Sequence, residues 1–305
     1  MRKSIKWSII AGPLCALLLG STVVYRELRQ DRLDQSLISA IKRRQTQQAI
    51  ALLREGASST AVYYPYAPLS PRSLMSTFLS KLRGQATAKE GRLSALMLAC
   101  TMTDDHSTFA WPAAPSLLRA LLSSGADPNA SIQDYSALAT QVECGPEENV
   151  RILLKNGADP NRIVGYPPLL SAIVRGDIPV ADVLLQYGAR TDKRVYCGYT
   201  ALDSAVVNSR ANDEMLNLIL SHHPKTNERG ADGITSLMYA VSHGPMTVSI
   251  LLKHGADASL RDKLGHSALD RAVSLPNSPE KESVIRLLTA SLHSARAASN
   301  SPQSL

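Results

Sequence analysis

The chain has 305 residues, with 33 Lys and Arg against 26 Asp and Glu and a formal net charge of +7. Nine of those basic residues and only three of the acidic ones fall within residues 1–44, so the excess belongs to the amino-terminal segment. The remainder lacks the clustered cations that phosphate contacts require, which excludes a nucleic-acid partner. Four cysteines exclude a disulfide framework: Cys15 sits in an apolar run, and Cys100, Cys144 and Cys197 show neither Cys-x-x-Cys nor a His at zinc-ligand spacing.

Residues 1–6 form a short basic tail with Arg2, Lys3 and Lys6. Residues 7–25, WSIIAGPLCALLLGSTVVY, are uncharged and mostly apolar, long enough to span a bilayer as a helix. The run reads as an uncleaved anchor; the alternative is a cleaved signal, which would make the protein secreted, but the small-residue sites near Gly20 are poor. Arg2, Lys3 and Lys6 on one flank balance Arg26, Arg29 and Arg32 on the other. The free amine tips that balance, so the tail is expected in the cytoplasm and the rest outside it, as in a bacterial inner-membrane protein facing the periplasm. Residues 26–32 follow as a juxtamembrane linker.

From residue 33 one phrase recurs. LLSSGADPN at 121–129, LLKNGADPN at 153–161 and LLKHGADAS at 251–259 are near copies, and LLREGASST at 52–60, LLQYGARTD at 184–192 and ILSHHPKTN at 219–227 are blurred ones. The paired leucines read as the buried last turn of a helix. Gly125, Gly157, Gly188 and Gly255 then take the left-handed conformation that ends it, with His223 in that place in one copy. Asp-Pro-Asn supplies a turn. Downstream, Ser94, Ser136, Thr200, Thr235 and Ser267 each stand two residues before a leucine, as helix N-caps, and Pro167 takes that place before Leu169. Three residues beyond those leucines stand Ala99, Ala172, Ala205, Ala240 and Ala272, where small side chains let helices pack closely; Gln141 is the exception.

A stop glycine recurs about every 33 residues, the period of a turn followed by two short helices. DGITSLMYAVSHG at 232–244 and GYTALDSAV at 198–206 resemble the ankyrin-repeat family's D-G-x-T-P-L-x-x-A pattern. Ala or Ser mostly replaces the family's Pro, and its common His is missing. The resemblance implies an all-α solenoid of about seven helix-turn-helix units with β-hairpin-like turns over residues 33–292. The first unit, 33–59, is degenerate, and the last is stretched by SLPNSPEKES between its helices. Insertions interrupt at 59–92, which carries Tyr63, Tyr64, Tyr66 and Phe78, and at 101–116, which carries Phe109 and Trp111. Residues 293–305 have no apolar period and are expected to be a disordered tail.

No nucleophile elbow, phosphate-binding loop, zinc-protease or calcium motif occurs. Asp104, Asp105 and His106 are the one compact acid/base cluster; a solvated loop is the plain reading and a hydrolase or metal-dependent enzyme the alternative. Cys100 and Cys144 lie on first helices of adjacent units, as semi-buried packing residues or, alternatively, one bridge. Asn129-Ala130-Ser131 fits a glycosylation acceptor, but Asn129 is already explained as a turn residue.

The resemblance implies a protein partner held on a concave face of turn tips and first helices, with no cofactor, metal or small-molecule substrate, by a monomer. The residue three before each helix-start leucine commonly faces that groove: Tyr135, Tyr166, Tyr199, Ile234 and His266, with Tyr196 beside them. Val174, Arg175, Val207, Asn208 and His243 are expected to form the neighbouring wall. Tyrosine combines stiff contact area with a polar end, which suits an interface anchor.

Overall fold

The structure, a computed structural model, describes residues 25–63, 93–101, 113–132, 135–194, 198–208, 213–230 and 232–300. The expected span at 7–25, apart from Tyr25, lies outside them, as do Tyr64, Tyr66, the 104–106 cluster, Phe109, Trp111, Tyr196 and Cys197. Among the described residues no helix is long and apolar enough to cross a membrane.

Seven helix pairs follow one another among those residues. They are α1 (25–42) with α2 (Thr46–Arg54), α3 (Ala95–Thr101) with α4 (Pro115–Ser123), α5 (Ala137–Cys144) with α6 (Glu147–Lys155), and α7 (Pro168–Arg175) with α8 (Ile178–Gln186). Then come α9 (Ala201–Val207) with α10 (Asp213–Ser221), α11 (Ser236–Ala240) with α12 (Pro245–Lys253), and α13 (Ala268–Ser274) with α14 (Pro279–Asn300). Two short antiparallel hairpins, β1 (Val62–Tyr63) with β2 (Leu93–Ser94) and β3 (Ser131–Ile132) with β4 (Tyr135–Ser136), lead into α3 and α5. The chain divides into two compact units between Ala158 and Asp159.

Local chemistry starts and stops these helices where the spacing predicts. Ser136, Thr200, Thr235 and Ser267 each accept a hydrogen bond from the backbone three residues on, and Thr200 with Asp203 and Ser267 with Asp270 form reciprocal capping boxes. Met97 N donates to Ser94 in the same way. Gly56, Gly125, Gly157, Gly188 and Gly255 stop the second helices at φ between +82° and +102°, and His223 holds the same place at φ +51°. Gly145 differs. Its φ is −88°, but a Cβ there would stand 2.4 Å from Gln141 Oε1 and 2.8 Å from Gln141 O, so glycine is needed for room.

That crowding follows from Gln141, the residue that replaces the usual alanine. It is fully buried, accepts from Asn149 Nδ2 at 2.8 Å, and the same amide donates to Ala113 O at 2.7 Å. The long side chain thus ties α5 to the residue where the chain returns from its second insertion. Elsewhere the alanines Ala99, Ala172, Ala205, Ala240 and Ala272 are buried between helices.

Within each unit neighbouring repeats are tied by a recurring side-chain bridge. Asn161 Nδ2 donates to Gly188 O at 2.9 Å while Arg190 N donates to Asn161 Oδ1 at 2.7 Å. Asn227 does the same to Gly255 O and Asp257 N, and in the first unit Asn129 donates to Gly157 O. So the phrase's asparagine satisfies the next stop carbonyl. At the first repeat, where no preceding asparagine exists, two side chains of α1 share this role. Gln30 donates to Gly56 O, and Ser58 N donates to Asp34 Oδ1. In the repeat before His223 the corresponding place holds Asp192, which pairs with Arg190 instead.

Three boundary expectations change. The linker 26–32 is helical, because it forms the first turns of α1 and carries the capping side chain Gln30. Residues 293–300, expected as tail, continue α14; residues 293–296 are exposed, and alanine's helix propensity sustains the extension. The long spacer in the last repeat shrinks to residues 275–278, since Ser278 Oγ accepts from Lys281 N and Pro279 opens the helix.

Candidate protein-binding face

The second unit places its four first helices side by side in chain order, α7 against α9, α9 against α11 and α11 against α13. Inward residues of α7, α9 and α11 are apolar and enclosed, namely Leu169, Ile173, Leu202, Val206 and Leu237, as is Val241 in the 3-10 turn that follows α11. Burial of this order, at about 25 cal/mol per Å² of apolar surface, is what a single helix pair lacks and a stack provides.

A polar layer joins the helix starts. Asp203, 2% exposed, accepts on one oxygen from Thr200 N at 2.9 Å and Thr200 Oγ1 at 2.8 Å, and on the other from Ser236 Oγ of the next repeat at 2.6 Å. Tyr199 meets Tyr239 edge to face, with ring centroids 5.2 Å apart at 81°. Burial, then Tyr199 and Asp203, push the Tyr239 phenol up to about 12. Asp262 accepts from Arg271 at 2.7 Å and from the backbone of Leu264 and His266 at 2.9 Å each. The Arg271 guanidinium holds that carboxyl below the usual carboxylate range, helped by the two backbone N–H groups. Arginines brace the hairpins: Arg194 donates to Gly198 O and Glu228, and Arg261 to Gly265 O and Asp270.

Against this frame the expected contact residues separate into two groups. Tyr166, 36% exposed, together with Arg175, His243 and His266, reaches solvent from the hairpins and first-helix ends, beside exposed Val174. Tyr135, 45% exposed on β4, belongs to the first unit, so the described tyrosine column does not lie within one unit. Tyr199, Ile234, Val207 and Asn208 are half-buried. Asn208 Nδ2 donates to Ile173 O and Val174 O at 2.8 Å each, which closes the end of α7. Tyr199 and Asn208 therefore carry inter-repeat contacts, and their exposed parts are the lesser share of their role.

Sequence reasoning missed Tyr239, Asp203 and Arg271. The register held the signal: Ser171, Ser204, Tyr239 and Arg271 all stand two residues beyond a helix-start leucine, a column that runs from repeat to repeat. Near the first insertion Tyr63 is held by Lys42, whose Nζ donates to its hydroxyl at 2.9 Å. Cys100 and Cys144 are free thiols; burial pushes Cys100 up to about 12, and Cys144 donates to Thr140 O. Among the described residues no three His, Cys, Asp or Glu are grouped to hold a metal ion.

Residues 207–294, which run from the end of α9 into α14, match the family model for ankyrin repeats in three copies. Residues 207–294 therefore carry ankyrin repeats, and the same succession of turn, first helix, second helix and left-handed stop recurs ahead of them.

Proposed function

We propose that the chain holds a partner protein against the hairpins and first helices of its second unit, while residues 7–25 keep it at a membrane. Ankyrin repeats are protein-interaction modules. The observation that carries the finer reading is the pairing of a hydrogen-bonded polar layer beneath, built on Asp203 and Asp262, with exposed Tyr166, Val174, Arg175, His243 and His266 above. A rigid support lowers the ordering cost of contact, and an aromatic ring on it is the usual energetic anchor. Tyr135, exposed on β4, is a contact residue of the first unit by itself. The 19-residue apolar run behind Arg2, Lys3 and Lys6 supports an anchor with the repeats on the extracytoplasmic side, where it raises the effective concentration of the module near membrane partners.

Crosslinking and affinity capture from native membranes tests both parts. Tyr166→Ala is expected to weaken capture by about tenfold, the loss of one anchor worth more than about 1 kcal/mol. Unchanged capture by Tyr166→Ala, Arg175→Ala and His243→Ala together refutes the face. Protease added outside the cell is expected to remove the repeats and spare residues 1–6; a soluble chain beginning beyond residue 25 refutes the anchor.

A further inference from the structure

Charge is segregated within the second unit. Asp177, Asp182, Asp213, Glu214, Glu280 and Glu282 lie at or in the second helices. On the hairpins most carboxylates are spent internally, Asp192 on Arg190, Glu228 on Arg194 and Asp262 on Arg271, as is Asp270 of α13 on Arg261; exposed Asp232 is the exception, and it leaves the cations in excess. Asp159 and Asp257 accept backbone N–H groups of their own turns, and Asp203 is enclosed between repeats. Arg175, Lys193, Arg229 and Lys263 make no side-chain ion pair among the described residues, and all but half-buried Lys193 are exposed. Lys193, Arg229 and Lys263 fall on the hairpins of three consecutive repeats, and Arg175 ends the first helix before them.

We infer that the occupant of this face is an acidic polypeptide segment, whose Asp and Glu side chains meet Lys193, Arg229, Lys263 and Arg175 while an apolar residue lies on Tyr166 and Val174. The inference rests on the protein-holding reading and specifies its partner. Packed helices sit about 8–10 Å apart, so the hairpins offer one cation at about that spacing. An extended polyproline-type chain returns to the same side every three residues, about 9 Å along, which matches. A nucleic-acid strand carries a charge about every 3.4 Å, far denser than this row, and offers nothing to the apolar pair.

The test uses the whole chain in detergent and a fluorescent peptide bearing Glu at every third position with Leu between. Binding is expected by anisotropy, weakening steeply as salt rises. The triple variant Lys193→Glu, Arg229→Glu, Lys263→Glu, shown by circular dichroism to stay folded, is expected to lose at least about tenfold in affinity, because it turns attraction into repulsion. A peptide with Lys in place of Glu is expected not to bind. No binding of the Glu peptide at low salt, or equal binding by the triple variant, overturns the inference, as does a single-stranded oligonucleotide that displaces the peptide and binds more tightly. If the membrane partner is still captured through Tyr166 but capture ignores both salt and the triple variant, the acidic occupant is refuted while the protein-holding reading stands.

Discussion

His223 offers the sharpest check on how these repeats end. It occupies the stop position at φ +51°, where the other second helices of the repeats have glycine at φ +82° to +102° or run on as α14. A residue with a Cβ in that region costs roughly 1–2 kcal/mol, which glycine avoids. Against this, glycine gains freedom in the unfolded chain worth about 0.4–1 kcal/mol. His223 is exposed, so its replacement sacrifices little packing. His223→Gly is therefore expected to stabilise the second unit by about 1 kcal/mol, or about 2–4 °C in Tm. The reverse change is Gly157→Ala at φ +90°, where a new Cβ meets nothing within 4 Å, so its cost of about 1 kcal/mol is conformational alone. Urea titrations followed by helical circular dichroism would give both values. A neutral or destabilising His223→Gly, alongside a clear cost for Gly157→Ala, would refute the left-handed stop as the reason for the repeated glycine.

Four further outcomes follow from named contacts. Asp203→Ala strands Ser236 Oγ and Thr200 N and should cost about 3 kcal/mol, and Ser236→Ala about 1–2 kcal/mol, by the same titration. Gly145→Ala should cost about 1–3 kcal/mol through the clash with Gln141, and Gln141→Ala in the same chain should recover only part of it, since the backbone oxygen at 2.8 Å remains. In an alkaline absorbance titration the Tyr239 phenol should ionise near its raised value of about 12. Because the folded value lies above the ordinary one near 10, its stabilising share is present below about pH 10 and is lost as pH climbs towards the folded value; Tyr199→Phe should lower that value. Asp262 works in the opposite sense. Its folded pKa lies below the ordinary one, so its share is present above about pH 4 and is lost as pH falls through the folded value, and Asp262→Asn should flatten acid unfolding there.

Much of the candidate site's frame was legible because its supports are local. The N-cap at Thr235 needs only a hydroxyl and the amide three residues on, and both are visible in DGITSLMYA. Tyr166 and His266, three residues ahead of a leucine, emerge exposed as that register implies. Tyr199 obeys the same register yet leans on Tyr239, a residue 40 positions away, and nothing within one repeat announces that pairing. The role of Asn208 was hidden for the same reason: its acceptors are the carbonyls of Ile173 and Val174, on the preceding repeat.

The amino-acid order alone determined the period, the helix starts and the stops, down to His223 in a glycine's place. Each of these depends on backbone conformation and on hydrogen bonds that close within a few residues. Only the tertiary structure decided why Gly145 is small, why Gln141 is large, and that Tyr199 packs on Tyr239 while Tyr166 stays exposed. Those outcomes depend on which side chains are pressed together once the helices stack, and close packing admits few ways of filling that space.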